Sequence, residues 1–228
     1  MPNLIAASVF FLFIHFAVSG TRWRDALVAR LGEGPYRGLF GVTSLAGLGW
    51  MIYAYRRAPE IALWGPLPGL RPVAFILMCL AFLLIVIGLA TPSPTQVGAE
   101  VRLTQGTATV RGIVRVTRHP FLWGVALWGL VHVTANGDLA SLVFFGSLLL
   151  LAVGGTASID AKRHRTLGTA WETFAQKTSS LPFAAIVSGR NSMAAAVREI
   201  GLVRPLVALI AYALVIVFHG RFFGAPLV

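Results

Sequence analysis

Charge is scarce in this sequence: Asp, Glu, Lys and Arg make up 12% of its 228 residues, against 57% hydrophobic, where a soluble domain carries about 25% charged residues. The shortfall excludes a disordered chain and argues against an ordinary water-soluble domain, because charge is missing where water would need it. Cysteine is nearly absent. The single Cys79 excludes a disulfide framework or a cysteine-built metal site, and its setting in Ile76-Leu77-Met78-Cys79-Leu80 makes it a packing residue rather than a reactive thiolate. Carboxylates are few: Asp138, Asp160, Glu172 and Glu199 are scattered in or beside loops, so paired acid and base work of the glycosidase kind has no machinery. The chain also lacks GxGxxG, Walker, GxSxG and HExxH patterns and any repeat of fixed period.

What is present is a series of long apolar runs. Six stretches contain no charged residue: Met1 to Thr21, Gly38 to Tyr55, Pro72 to Gly98, Pro120 to Gly137, Leu139 to Ile159 and Pro205 to Gly220. Each approaches the ~20 residues a helix needs to cross ~30 Å of hydrocarbon. Peptide groups cannot stay unpaired in lipid, and no alternating ten-residue pattern suggests a barrel, so the expectation is an all-α bundle of about six membrane spans. Pro120 and Pro205 fall in first turns, and Asn136-Gly137-Asp138 reads as a tight turn with Asp138 as N-cap, making the fourth and fifth spans an antiparallel hairpin. The grouped glycines Gly41, Gly47, Gly49, Gly154 and Gly155 read as close helix contacts.

The formal charge is +11, yet its basic residues lie between apolar runs rather than in one patch, which speaks for a bilayer and against nucleic acid. Fifteen Lys and Arg fall after span one, before span four and between spans five and six, leaving Arg56, Arg57, Arg71 and Arg221 for the other side. Basic loops stay cytoplasmic, so both termini are expected outside the cytoplasm. The first run has no basic n-region and contains His15, so it reads as a retained span rather than a cleaved signal peptide. The segment from Asp160 to Arg204, with Trp171, Phe174 and Leu181 among basic residues, reads as helices at the headgroup boundary. Trp50, Tyr53, Tyr55 and Trp64 read as an interfacial belt, and the deeper Trp123 and Trp128 as packing residues or flanks of a flat ligand.

Ionisable side chains inside spans are functional candidates, and here only histidines qualify. His15 lies in span one, His132 in span four and His219 toward the end of span six; His119 and His164 sit at basic ends. No HxxxH pair occurs on one helix, so a shared metal would need histidines from different helices, as bundles hold haem. A neutral imidazole bonded to a nearby oxygen is the plain alternative. At ~1.5 Å per residue His15 is about 10 Å from Arg22, His132 about 21 Å from Arg118 and His219 about 22 Å from Arg204, so His132 with His219 stands as a rival pair. His119 suits a helix-opening cap, and His164 a solvated basic face.

Three separated segments carry a family likeness. Arg115-Val116-Thr117-Arg118-His119-Pro120-Phe121-Leu122-Trp123-Gly124, Thr91-Pro92-Ser93-Pro94-Thr95-Gln96-Val97-Gly98, and Thr178-Ser179-Ser180-Leu181-Pro182-Phe183-Ala184-Ala185-Ile186 with Gly189-Arg190 resemble the NnrU family over nearly the whole chain. The resemblance implies a single integral membrane domain over residues 1–228 in a bacterial inner membrane, and a link to nitrogen-oxide metabolism in denitrification. The family is similar to plant ζ-carotene isomerases, which implies haem b with His15 and His132 as cofactor and metal ligands, and a polyene as substrate of a redox-gated cis–trans isomerisation. Arg118-His119-Pro120, Gly124, Leu167-Gly168, Trp171, Phe174 and Pro182 also resemble the cofactor region of membrane methyltransferases that use S-adenosylmethionine, with Asp160-Ala161 where those proteins carry paired glutamates. A third possibility is a cofactor-free assembly protein for nitrogen-oxide respiratory enzymes.

Overall fold

A computed structural model describes residues 1–99, 101–104 and 109–225. Its helices are α1 (Pro2–Phe13), α2 (Arg22–Leu31), α3 (Glu33–Tyr55), α4 (Arg71–Leu89), α5 (Val101–Thr104), α6 (Pro120–Asn136), α7 (Leu139–Leu167), α8 (Thr169–Lys177), α9 (Ala184–Val187), α10 (Met193–Ile200) and α11 (Val203–Phe223). A π-helical turn, Ile14–Ser19, continues α1, and 3-10 turns occupy Pro68–Leu70 and Gly112–Arg115. The protein is all-α, as expected; one isolated bridge, Ala62 to Asp138, is the extended pairing among the described residues.

Among the described residues, five helical stretches are long and apolar enough to cross a membrane: Pro2–Ser19, Glu33–Tyr55, Pro68–Leu89, Leu139–Leu167 and Val203–Phe223. The fourth apolar run forms α6, whose 17 residues reach only about 25 Å at helical rise. Outward side chains on these helices are large and apolar, among them Leu45, Val42, Ile76 and Val217, the arrangement that lipid stabilises and water does not. The basic stretch after span one forms a helix, α2, begun by Thr21, whose hydroxyl accepts from the Trp23 N–H at 3.2 Å. One expectation needs correction. Trp171 and Phe174 are not lipid-facing: both are buried against Val114, because α8 folds its apolar stripe inward.

The chain forms two compact units. The first comprises Met1–Leu70 and Gly129–Lys162. In it α1 and α2 pack on α3, and Glu33 joins α2 to α3 by accepting from Arg24 (2.6 Å) and Arg37 (2.7 Å). The expected turn between α6 and α7 is present. Asp138 caps α7 by accepting from the Ser141 N–H at 2.9 Å. The loop after α3 pairs with that turn: Leu63 and Trp64 N–H groups donate to the Gly137 carbonyl (2.8 and 3.0 Å), and the Trp64 indole donates to Thr134. Gly137 has φ 70°, and a Cβ there would lie 2.5 Å from the Trp64 carbonyl, so glycine is required. Of the grouped glycines, Gly47 meets Phe10 and Phe11 and Gly154 meets Phe16, whereas Gly41 and Gly49 face open space.

The second unit comprises Arg71–Trp128 and Arg163–Val228. α4 packs on α11, and the Tyr212 hydroxyl donates to the Phe75 carbonyl at 2.7 Å. Leu84, Ile87, Ile113, Val116 and Ala196 form one core, which joins α4 and α10 to the Gly112–Arg115 turn. α6 approaches α4 at Gly124, where a Cβ would fall 2.6 Å from the Ile85 side chain and 2.8 Å from the Ala81 carbonyl. Gly124→Ala should therefore lower stability by about 1–3 kcal/mol through overpacking, while Gly41→Ala, on an open helix face, should gain a few tenths to about 1 kcal/mol from propensity. Thermal unfolding of the two variants in detergent, followed by tryptophan fluorescence, checks both directions.

Candidate functional site

His15 sits on the first turn of the π-helical segment, where the backbone leaves the α register. Such turns cost hydrogen-bond quality and concentrate at functional sites. Its Nδ1 faces the Phe11 carbonyl at 2.7 Å, and its Nε2 faces the Ser44 hydroxyl of α3 at 3.2 Å. A carbonyl can only accept, so Nδ1 carries the proton and Nε2 keeps its lone pair. Phe11 and Phe40 flank the ring at centroid distances of 4.4 and 5.2 Å. Nε2 therefore accepts from the Ser44 hydroxyl, and a ring fixed through Nδ1–H to a backbone carbonyl with Nε2 unprotonated has the tautomer in which proteins offer imidazole to a metal.

His132 belongs to the same unit. Its ring stacks on Phe145 of α7 at 4.7 Å and 26°. Phe145 meets Phe144 edge-on, Phe144 stacks on Tyr55, and the Tyr55 and Ser141 hydroxyls pair at 2.9 Å. His219 lies in the other unit, with Nδ1 2.6 Å from the Ala225 carbonyl at the end of α11. His164 is exposed and pairs with Glu172 at 3.1 Å, matching the solvated basic face expected of it. His119 is buried to 2% exposure at the start of α6. Among the described residues no three His, Cys, Asp or Glu side chains converge as metal ligands, so a bare ion would find no cage, whereas a porphyrin iron needs only one or two axial donors.

In the second unit the three sequence segments converge. The Thr95 hydroxyl (2.7 Å) and the Ser93 hydroxyl (3.3 Å) donate to the Arg118 carbonyl. The Arg118 N–H donates to the Ser179 carbonyl (2.9 Å), and the Thr117 hydroxyl and Trp123 indole both donate to the Ser180 carbonyl (2.6 and 2.7 Å). Gln96 reaches the Gly88 carbonyl at 2.9 Å, at the end of α4. These polar residues satisfy loop and helix-end peptide groups that would otherwise be buried unpaired. Trp123 is thereby a bonded packing residue.

Below this cap, Arg115 holds Glu199 with two parallel bonds of 2.8 Å and reaches Asn191 with its third nitrogen. The Gly112 N–H adds a 2.6 Å bond to the same carboxylate. Arg115 holds the Glu199 carboxyl down at about 2, and the pairing raises the Arg115 guanidinium in return. Neither this clamp, which links residues 84 positions apart, nor the Ser44 contact to His15 has a short-range sequence signal. Glu199 stood out only as an isolated acid.

The architecture and the bonded cap define an α-helical multi-pass membrane protein. The NnrU protein family model matches residues 3–227, and the chain belongs to that family. It is 30% identical over 116 residues to the chloroplastic 15-cis-zeta-carotene isomerase of Zea mays, covering 51% of this chain and 30% of the maize protein. It is 32% identical over 80 residues to the Arabidopsis thaliana protein of the same name, covering 35% of this chain and 22% of that one. The chain thus spans less than a third of the length of these relatives. No solved structure gives a significant match.

Glu199 is held below its unfolded value, so its pairing stabilises the fold fully above pH ~4.5, and that contribution disappears as pH falls toward about 2. Melting temperature should accordingly drop over that window in the wild type. Glu199→Gln should lose roughly 1–2 kcal/mol at neutral pH and show a flatter acid limb; an unchanged limb would mean the clamp does not titrate with folding.

Proposed function

We propose that this protein is a membrane isomerase of the carotene-isomerase type, seated in a bacterial inner membrane, which binds haem b through His15 and His132 and acts on the double-bond geometry of a hydrophobic polyene. The observation that carries the reading is His15: a ring on a π-helical turn, inside an apolar span, with Nδ1–H committed to Phe11 and Nε2 presented as a base beside Ser44. A neutral imidazole in that tautomer fits an axial donor to iron. His132, in the same unit and held flat against Phe145, supplies the second imidazole. Similarity to isomerases that act on a carotene supports the substrate class.

Bound haem, held by His15 and His132, would supply an iron able to change oxidation state and to interact with an electron-rich double bond. The protein's own residues do the rest. Phe11, Phe40 and Phe145 orient the two imidazoles and exclude water around them. The apolar outer faces of the spans leave the unit open to a substrate dissolved in the bilayer rather than in water.

Purified wild-type protein, expressed with haem supplied, should show a Soret band with bis-imidazole α and β bands on reduction. His15→Ala and His132→Ala should each weaken or shift it, and His219→Ala should leave it unchanged. A folded, colourless wild type ends the haem reading. A Soret band lost in His219→Ala but kept in His15→Ala transfers the ligand role to the rival pair.

A further inference from the structure

The segment 160–204 leaves a set of large apolar side chains exposed that belongs to none of the membrane-spanning helices. Leu181, Phe183 and Val187 lie around α9, Met193 and Val197 on α10, and Leu202 at the junction with α11; Val187 and Leu202 are 86% and 88% exposed. These residues sit on a rigid base. Phe183 has φ 65°, the single positive value outside glycine among the described residues. That strained conformation is fixed by its N–H bond to the Val116 carbonyl at 2.8 Å and by the Ile186 and Val187 N–H groups returning to its own carbonyl. α10 buries Ala196 in the core, while the Arg115 bonds to Glu199 and Asn191 fix its two ends. Met193 and Val197, one turn apart, are therefore held outward by a locked helix.

Two features identify what covers this face. α11 begins at Val203, directly after Leu202, and its outward Leu206, Val207 and Ile210 form part of the apolar surface of a spanning helix. The exposed hook is thus continuous with a lipid-facing surface. Its rim is basic: Lys177, Arg190 and Arg198 are exposed there, whereas the acids Glu199 and Glu172 are engaged by Arg115 and His164. Arg190 donates to the Gln176 and Thr178 carbonyls and Asn191 to the Lys177 carbonyl, which keeps Arg190 and the exposed Lys177 side by side; Arg198 is exposed on α10.

We propose that residues 181–202 form a hook that inserts into the leaflet at the N-terminal end of α11, with Phe183, Val187, Val197 and Leu202 below the headgroups and Lys177, Arg190 and Arg198 on anionic headgroups such as phosphatidylglycerol. Apolar tips with a basic rim are the chemistry by which interfacial elements bind charged bilayers. The membrane character of the chain suffices for this; haem plays no part in it.

The test uses the full chain in a Cys79→Ser background, with spin labels on Val187→Cys, Val197→Cys or Leu202→Cys, in phosphatidylcholine nanodiscs with and without phosphatidylglycerol. Oxygen should relax the labels more than a water-soluble nickel chelate does, and that preference should rise several-fold with phosphatidylglycerol. Lys177→Gln with Arg198→Gln should remove the rise, while a label at Gln176→Cys should stay nickel-accessible throughout. Nickel-accessible labels at all three hook positions overturn the proposal. So does insertion of equal depth in both lipids, or protection from both oxygen and nickel, which would mean that protein covers the face.

Discussion

Hydrocarbon offers a peptide group nothing to bond with, and each N–H or C=O left unpaired there costs several kcal/mol. Long helices answer that demand along the spans, but every helix end and connecting loop raises it again. In the second unit the answer is a set of serines, threonines and one glutamine whose side chains bond the carbonyls of Arg118, Ser180 and Gly88. The segments richest in Ser, Thr, Gln and Pro are thus structural by necessity.

The first unit meets the same demand differently, and there a side chain capable of chemistry is brought into the spans. Tyr55 and Ser141 bond each other, Trp64 closes on Thr134, and His15 is bonded at both ring nitrogens. Aromatic neighbours occupy the space around both histidines. These polar groups are few and each bonds a neighbour, which limits the cost of holding them among apolar side chains.

Much of the fold was legible from period-free apolar length. The runs, the Gly137 turn and the Asp138 cap follow from local rules that act over a few residues. Three features were not legible, each for a physical reason. α2 has no buried residue and owes its place to Arg24 and Glu33, a pairing composition does not reveal. Trp171 and Phe174 show the amphipathic pattern of an interfacial helix, but periodicity reports only that one face is apolar, and here that face meets protein. The clamp between Arg115 and Glu199 spans 84 positions, beyond any local signal. For the candidate site, residue type marked His15 and His132, while the groups that fix tautomer and ring plane, the Phe11 carbonyl and the Phe145 ring, belong to ordinary span residues in sequence.

The π-helical turn at Ile14–Ser19 has a bearing on how relatives are compared. A π turn accommodates one residue more than the α ladder beside it. A chain lacking that extra residue would knit a continuous α-helix and rotate everything before the turn by about 100° relative to everything after it. The face of α1 that packs on α3 and the imidazole one turn beyond Phe11 would then point in different directions. A one-residue gap in this short stretch therefore separates homologues that keep the histidine's aim from those that merely keep the histidine.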